Sequence, residues 1–356
     1  MANVQTQFDT FNSTIRSGRF RNDEQLRKKR NIIRKRLRKN LPGVFKKYNE
    51  PNLVPTFKDQ GSYKMGTGVK PLSGSGGFDI DQGVYFETPI DGTYATPVTL
   101  KKRVKEALDD LTTDMPIRRP CVTVFYKQNG EERAYHVDLA IYSARGSNDD
   151  GKDYLATGRE TSTADDQEWK VSDPSGLRDS LFSPFSEKSE RLQFRRVIRF
   201  LKRWKDENFT SDGNGAPRGI GLTLNAHYGF QATYSDYAAR KTDDLGAMRT
   251  LVDDMLGRFR HQWREKKQEY GHCLVAELPV EPWSDVYENM TLVQMKAFES
   301  ALKDLKAALD YAHGEVDTQK ACERLQKVFG SDFPVPPKSD TARPTPPPAS
   351  SSGISG

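Results

Sequence analysis

The chain has 356 residues, of which 35% are hydrophobic and 29% charged, with a formal net charge of +6. That is a polar, globular composition with length for two or three packed units. No apolar run approaches the roughly 20 residues of a membrane span, and the opening residues MANVQTQFDTFNST lack a signal-peptide apolar region. A cytoplasmic protein with no membrane contact is expected. Cys121, Cys273 and Cys322 are scattered without metal-ligand spacing and read as reduced thiols.

The positive charge is local. Residues 26–41, LRKKRNIIRKRLRKNL, hold nine Lys and Arg and no acid, and the remainder is slightly acidic. A general polyanion binder is therefore excluded. Residues 22–41 predict one long helix. Asn22 or Asp23 can cap it, Leu26, Ile33, Leu37 and Leu41 give it an apolar stripe, and Pro42-Gly43 ends it. No aromatic residues interleave the charges as a nucleic-acid stacking platform requires, so a bracing helix is favoured.

Residues 60–86, QGSYKMGTGVKPLSGSGGFDIDQGVYF, carry a Gly-Ser turn, a Gly-rich spacer (68–77) and two aspartates inside an apolar strand. Alternate strand residues share a face, so Asp79 and Asp81 point the same way. Like charges so placed suit a cation of hard, oxygen-preferring chemistry such as Mg²⁺; the alternative is a solvated sheet edge. Residues 98–114 predict a helix. A hairpin follows, CVTVFYKQ and ERAYHVDLAIYS around Asn129-Gly130. On its second strand Val137, Leu139 and Ile141 share one face, and His136, Asp138, Ala140 and Tyr142 the other. A lone Asp there costs free energy unless it is paired or bound to a cation, which makes Asp138 the third carboxylate.

Residues 144–170 read as a loop or flap, and 173–182 as a turn into a short helix. A clear helix spans 186–209, burying Phe194, Val197, Ile198, Leu201 and Trp204, with Arg191, Arg195, Arg199 and Lys202 as a basic stripe. The stripe is either solvated or turned toward a phosphate site. Residues 212–219 form a loop. Further helices are expected at about 219–235 and 243–269, the latter with Leu251, Met255, Leu256, Phe259 and Trp263 as its apolar face. Thr291 to Gln294 is a capping box opening a helix that buries Phe298, Leu302, Leu305 and Leu309. A short helix at about 318–329 closes the globular part, and the Pro- and Ser-rich residues 331–356 are expected to be disordered. The architecture is an α+β unit carrying the acids, then an all-helical unit.

Three carboxylates on neighbouring strands with a Gly-Ser turn upstream make a two-metal phosphoryl-transfer site, the turn holding β- and γ-phosphates. The ordered segments QGSYKMGT (60–67), DIDQGVYF (79–86), HVDLAIYS (136–143), SDPSGLRDSLF (172–182) and RRVIRFLKRWKDE (195–207) resemble the polymerase-β-like nucleotidyltransferases. The closer resemblance is to the DncV-like bacterial cyclic-oligonucleotide synthases, relatives of animal cyclic GMP-AMP synthase.

The resemblance implies a mixed sheet beside a helical lobe, braced by a long N-terminal helix. It divides the chain into a nucleotidyltransferase core (1–185), a helical nucleotide-binding domain (186–330) and a tail (331–356). Asp79, Asp81 and Asp138 become catalytic ligands of two Mg²⁺ ions, replaceable by Mn²⁺, with Asp138 helping to deprotonate the attacking hydroxyl. Gln60, Gly61, Ser62, Ser172 and Lys202 become nucleotide contacts. The substrates are ATP and other NTPs, without template nucleic acid. The product is a cyclic di- or trinucleotide in anti-phage signalling, which reaches a separate effector. A ubiquitin-transfer-like ligase acting on the tail at Gly356 is a further implied partner. Two positions depart from the family. Arg218-Gly219-Ile220-Gly221 lacks the serine relatives often carry there, and Met65 replaces an aromatic residue thought to stack on the acceptor base. The alternative function is a template-independent RNA- or tRNA-end nucleotidyltransferase on the same triad. From another class comes a non-catalytic binding protein that keeps the fold, against which the intact acids argue.

Overall fold

A computed structural model describes residues 3–17, 21–72, 78–112, 114–128, 131–209 and 215–337. In chain order the elements are α1 (Gln5–Ile15), α2 (Arg21–Lys47), β1 (Thr56–Asp59), α3 (Gly61–Met65), β2 (Phe78–Phe86), α4 (Pro97–Glu106), β3 (Val122–Gln128), β4 (Glu131–Ser143), β5 (Tyr154–Ala156), β6 (Trp169–Val171) and α5 (Pro174–Phe182). The second half holds α6 (Lys188–Asn208), α7 (Gly219–Gly229), β7 (Tyr234–Asp236), β8 (Lys241–Thr242), α8 (Asp244–Gly257), β9 (Arg260–Arg264), β10 (Glu269–Cys273), α9 (Leu292–Gly314) and α10 (Thr318–Phe329).

Among the described residues six strands form one mixed sheet in the order β1-β2-β4-β5-β6, with β3 also on β4. The central pair β2–β4 is parallel and the other pairs are antiparallel. Ile80, Val84, Val137, Leu139 and Ile141 point from it into one apolar core. α2 covers that core with Ile33, Leu37, Leu41 and Phe45, and α4 with Leu100 and Val104. The stripe expected on α2 is therefore buried where its side chains are described. Its expected ends are not kept. The helix starts at Arg21, so Asn22 and Asp23 lie inside it, and it runs through Pro42 to Lys47. An internal proline costs about 3 kcal/mol. Phe45, one turn later, is fully buried against Phe86 and Tyr94, and burying an aromatic ring offsets much of that cost.

The helical lobe has its own core, into which α6 sends Phe194, Val197, Ile198, Leu201 and Trp204 as the spacing required. The capping box at Thr291 and Gln294 is present, and α9 buries Phe298, Leu302, Leu305 and Leu309. α1 joins this lobe instead of the sheet. Phe8 and Phe11 pack with Phe200, Phe329 and Phe333, Phe11 at ring separations of 5.1–5.3 Å. Phe333 is thus buried although it lies in the stretch expected to be disordered; residues 338–356 lie outside the described residues. Phe11→Ala is expected to destabilise the helical lobe by about 3–5 kcal/mol, read as a lower urea midpoint.

Other expectations change. The 98–114 helix stops at Glu106 and the 219–235 helix at Gly229. Residues 144–170 contain β5 and the start of β6. The 243–269 helix ends at Gly257 and gives way to the hairpin β9–β10, where Trp263 is 45% exposed. Leu256 belongs to the helix, and Phe259 and Trp263 continue its period by coincidence. On the hairpin Arg264, Gly271 and Cys273 face inward, and Gly271 sits so close to α9 that a Cβ there would lie 2.2 Å from Leu292 Cδ2. The Asn129-Gly130 turn lies outside the described residues, but Gln128 pairs with Glu131 across it, as a two-residue loop requires. No helix is long and apolar enough to cross a membrane among the described residues.

Candidate active site

The parallel register of β2 and β4 sets Asp79 opposite His136 and Asp81 opposite Asp138. In-register neighbours share a face, so all three acids stand on the side of the sheet away from α2. Asp81 and Asp138 are half-buried and Asp79 is exposed. Thr123, the partner of Asp138 on β3, donates its hydroxyl to Asp138 Oδ1 at 2.6 Å and so orients that carboxylate. Burial pushes the Asp81 carboxyl up to about 7, and the charges of Asp79 and Asp138 add to the effect; Lys202 opposes it. An excess of negative charge on oxygen donors fits a hard divalent cation. Among the described residues no group of three or more His, Cys, Asp or Glu side chains is placed to hold a metal ion by itself. Protein carboxylates commonly share such ions with substrate phosphates and water.

The Gly-Ser turn is α3, entered directly from β1. The Gln60 amide donates to the Asp81 carbonyl at 3.3 Å. Gly61 has φ +67°, and a Cβ there would lie 1.7 Å from Asp81 Oδ2. Glycine lets the turn approach the acid this closely. The Thr67 amide donates to the Ser62 carbonyl at 3.0 Å, closing the turn behind the serine. The Tyr142 phenol lies near Gln60 and Ser172, whose side chains favour its ionised form. That ring stacks on Tyr85 at 4.5 Å. Burial pushes the Tyr142 phenol up to about 12, so it stays neutral. A cavity of about 350 Å³ opens beside the turn, lined in part by Lys58, Gln60, Gly61, Met65 and Tyr85.

The basic stripe of α6 is neither solvated nor wholly turned to a phosphate site. Arg195 Nε donates to the Met65 carbonyl at 3.0 Å and Arg199 Nη1 to that of Gly66 at 2.5 Å. Lys202 Nζ reaches the Thr67 carbonyl at 3.2 Å, and Arg203 Nη2 the Lys70 carbonyl at 2.9 Å. Burial pushes the Lys202 ammonium down to about 8, opposed by Asp79 and, more weakly, Asp81. Lys202 therefore feels both acids from the opposite lobe. The spacer reading of residues 68–77 is corrected in part. Ser17 N–H donates to Gly68 O at 3.2 Å and Lys70 N–H to Ile15 O at 2.8 Å, so 68–70 is pinned to the end of α1, and residues 73–77 lie outside the described residues.

The basic face of α2 braces the site from behind. Arg30 and Arg34 hold Asp59 at 2.8 and 2.5 Å. Arg34 Nε donates to Gln82 Oε1 at 2.8 Å, and Gln82 Nε2 to the Lys58 carbonyl at 2.7 Å. Asp59 precedes the turn and Gln82 follows Asp81, so one helix ties both. Sequence reasoning favoured a brace but did not find these partners.

The family described as "Cyclic GMP-AMP synthase DncV-like, nucleotidyltransferase domain" matches residues 55–142, which include Gln60, Gly61, Ser62 and all three acids. The chain carries a DncV-like nucleotidyltransferase domain. This bears out the resemblance read from the motifs. The domain and what surrounds it also share the fold of Vibrio cholerae DncV cyclic AMP-GMP synthase. Its complex with nonhydrolyzable GTP superposes with a TM-score of 0.70 at 18% identity, covering 94% of this chain and 97% of that one. The apo form gives 0.69 at 19%, covering 93% and 96%. A curated relative, cyclic GMP-AMP synthase of Escherichia albertii, is 29% identical over 157 residues. That match takes in 43% of this chain and about a third (32%) of the relative's length. The α+β expectation for the nucleotidyltransferase domain holds, and Ser172 and Lys202 lie beyond the part matched by the family.

Proposed function

We propose that the protein is a Mg²⁺-dependent nucleotidyltransferase that joins ATP and other NTPs into a cyclic di- or trinucleotide, releasing pyrophosphate. The observation that carries this reading is the set of three acids on one sheet face, with the Gly61–Ser62 turn against Asp81 and Lys202 coupled to both Asp79 and Asp81 from the helical lobe. The V. cholerae relative has been captured with GTP and with the linear intermediate 5′ pppA(3′,5′)pG, which supports NTP substrates here.

Asp79, Asp81 and Asp138 would hold the ions. A divalent pair bound there supplies Lewis acidity to the attacking hydroxyl and charge neutralisation to the leaving pyrophosphate. Asp138, oriented by Thr123, accepts the hydroxyl proton. Gln60, Gly61 and Ser62 hold the donor phosphates from one side and Lys202 from the other. Ser172 stands at the nucleotide. Position and charge are most of what phosphoryl transfer asks of a protein. The biological reading is anti-phage signalling in the cytoplasm through a product-sensing effector. Conjugation at Gly356 by a ubiquitin-transfer-like ligase belongs to the same proposal.

The test is incubation with labelled NTPs and Mg²⁺ or Mn²⁺. A phosphatase-resistant cyclic product, identified by mass spectrometry, is expected. RNA-dependent tailing without cyclic product would replace this reading with the RNA-end alternative. The engagement of Arg30, Arg34 and Lys29 with Asp59, Gln82 and the Tyr126 ring speaks against RNA on that helix. Lys202→Met is expected to raise KM for NTP by about 10–100-fold, the range for a lost hydrogen bond to a charged group, in steady-state kinetics.

A further inference from the structure

The four bonds from α6 fall on carbonyls 65, 66, 67 and 70, the C-terminal end of α3 and the segment after it. Carbonyls at a helix end lack intrahelical partners, and cations there complement the helix dipole. The stripe thus seats α3 from its far end, and what it seats is the Gly61–Ser62 turn.

Arg199 is the most constrained of the four. It is buried. Besides Gly66, its Nε and Nη2 both donate to Asn12 Oδ1, at 2.9 and 2.7 Å. Asn12 lies on α1, and the same N-terminal segment holds the 68–70 backbone through Ile15 and Ser17. α1 is itself anchored in the lobe by Phe8 and Phe11. The chain of contacts is therefore continuous. It runs from the lobe core to α1, through Asn12 to Arg199, to the Gly66 carbonyl, and through the Thr67 amide to Ser62.

We propose that Asn12 and Arg199 are positioning residues for the phosphate-binding turn. Neither is assigned a contact with substrate or acids. Asn12 holds the guanidinium against the Gly66 carbonyl, and Arg199 fixes where Ser62 meets a donor triphosphate. The functional part of the inference rests on the nucleotidyltransferase reading; the structural part does not.

Asn12→Ala removes the carboxamide and leaves Arg199 in place. Its affinity for a nonhydrolysable ATP analogue with Mg²⁺, measured by titration calorimetry, is expected to fall on the order of tenfold. Amide hydrogen exchange over residues 61–70 is expected to rise by a similar factor, and by more than exchange in the sheet core, while the melting temperature falls by a few degrees because two donors of a buried guanidinium lose their acceptor. Asn12→Asp, whose carboxylate accepts from the same two nitrogens, is expected to restore both. A KM increase in Asn12→Ala that exceeds its kcat loss supports the same assignment. Unchanged exchange overturns the proposal. So does unchanged analogue affinity where the parent protein binds, or a loss that Asn12→Asp fails to restore. A parent protein that binds no nucleotide sinks the catalytic reading alone, and positioning then stands or falls on exchange over 61–70.

Discussion

Asp81→Asn is expected to do two opposite things: abolish nucleotide joining, by roughly 10³-fold or more, and stabilise the metal-free protein. The first follows from its place between Asp79 and Asp138. The second follows from electrostatics. Burial and two neighbouring carboxylates hold the Asp81 carboxyl up at about 7, against about 3.9 in an unfolded chain. The folded protein keeps a proton there that the unfolded chain gives up. The stability this contributes is fully present below about pH 4 and is lost as pH rises through about 7. Above that, folding holds an extra uncompensated charge. Asparagine carries none. In chelator, the melting temperature of Asp81→Asn should exceed that of the parent by more at pH 8 than at pH 5. Mg²⁺ should raise the parent's melting temperature at pH 8 and leave the variant's nearly unchanged. A variant less stable than its parent at pH 8 without metal, or one that retains activity, would sink the assignment of Asp81.

The acids were legible because a strand has a period of two. Alternation placed Asp79 and Asp81 on one face and set Asp138 apart from the apolar face of its own strand, while the parallel register that brings Asp138 opposite Asp81 came only from the structure. The apolar face of α6 was legible for the equivalent helical reason. What the basic stripe meets was not. Arg191, Arg195, Arg199 and Lys202 all bond to backbone carbonyls, and a carbonyl is the same at every residue, so no sequence pattern marks it. Asp59 was missed for a related reason. Its partners Arg30 and Arg34 lie about 25–30 residues away, across a strand pairing. α1 did carry a signal, since Phe8, Phe11 and Ile15 have helical spacing, but polar neighbours diluted it. Pro42 and Trp263 show the converse, local rules overruled by burial of Phe45 and by hairpin packing on Leu292.

Gly61→Ala is expected to reduce activity by roughly 10²-fold, the cost of displacing reacting groups by about an ångström, with the overall fold retained. Two effects combine at this position. The backbone lies at φ +67°, which L-residues adopt at a cost of about 1–2 kcal/mol. The new methyl also meets Asp81 Oδ2 at 1.7 Å, so the carboxylate or the turn must move. Gly151 separates the two effects. It has the same φ of +67° but nothing within 4 Å of an added Cβ. Gly151→Ala should therefore show the backbone cost in its melting temperature and keep near-parental activity. Gly61→Ala should lose activity far beyond any difference in stability between the two. Equal losses of activity in both would mean that backbone strain alone accounts for the effect, and that close approach of the turn to Asp81 plays no part in the chemistry.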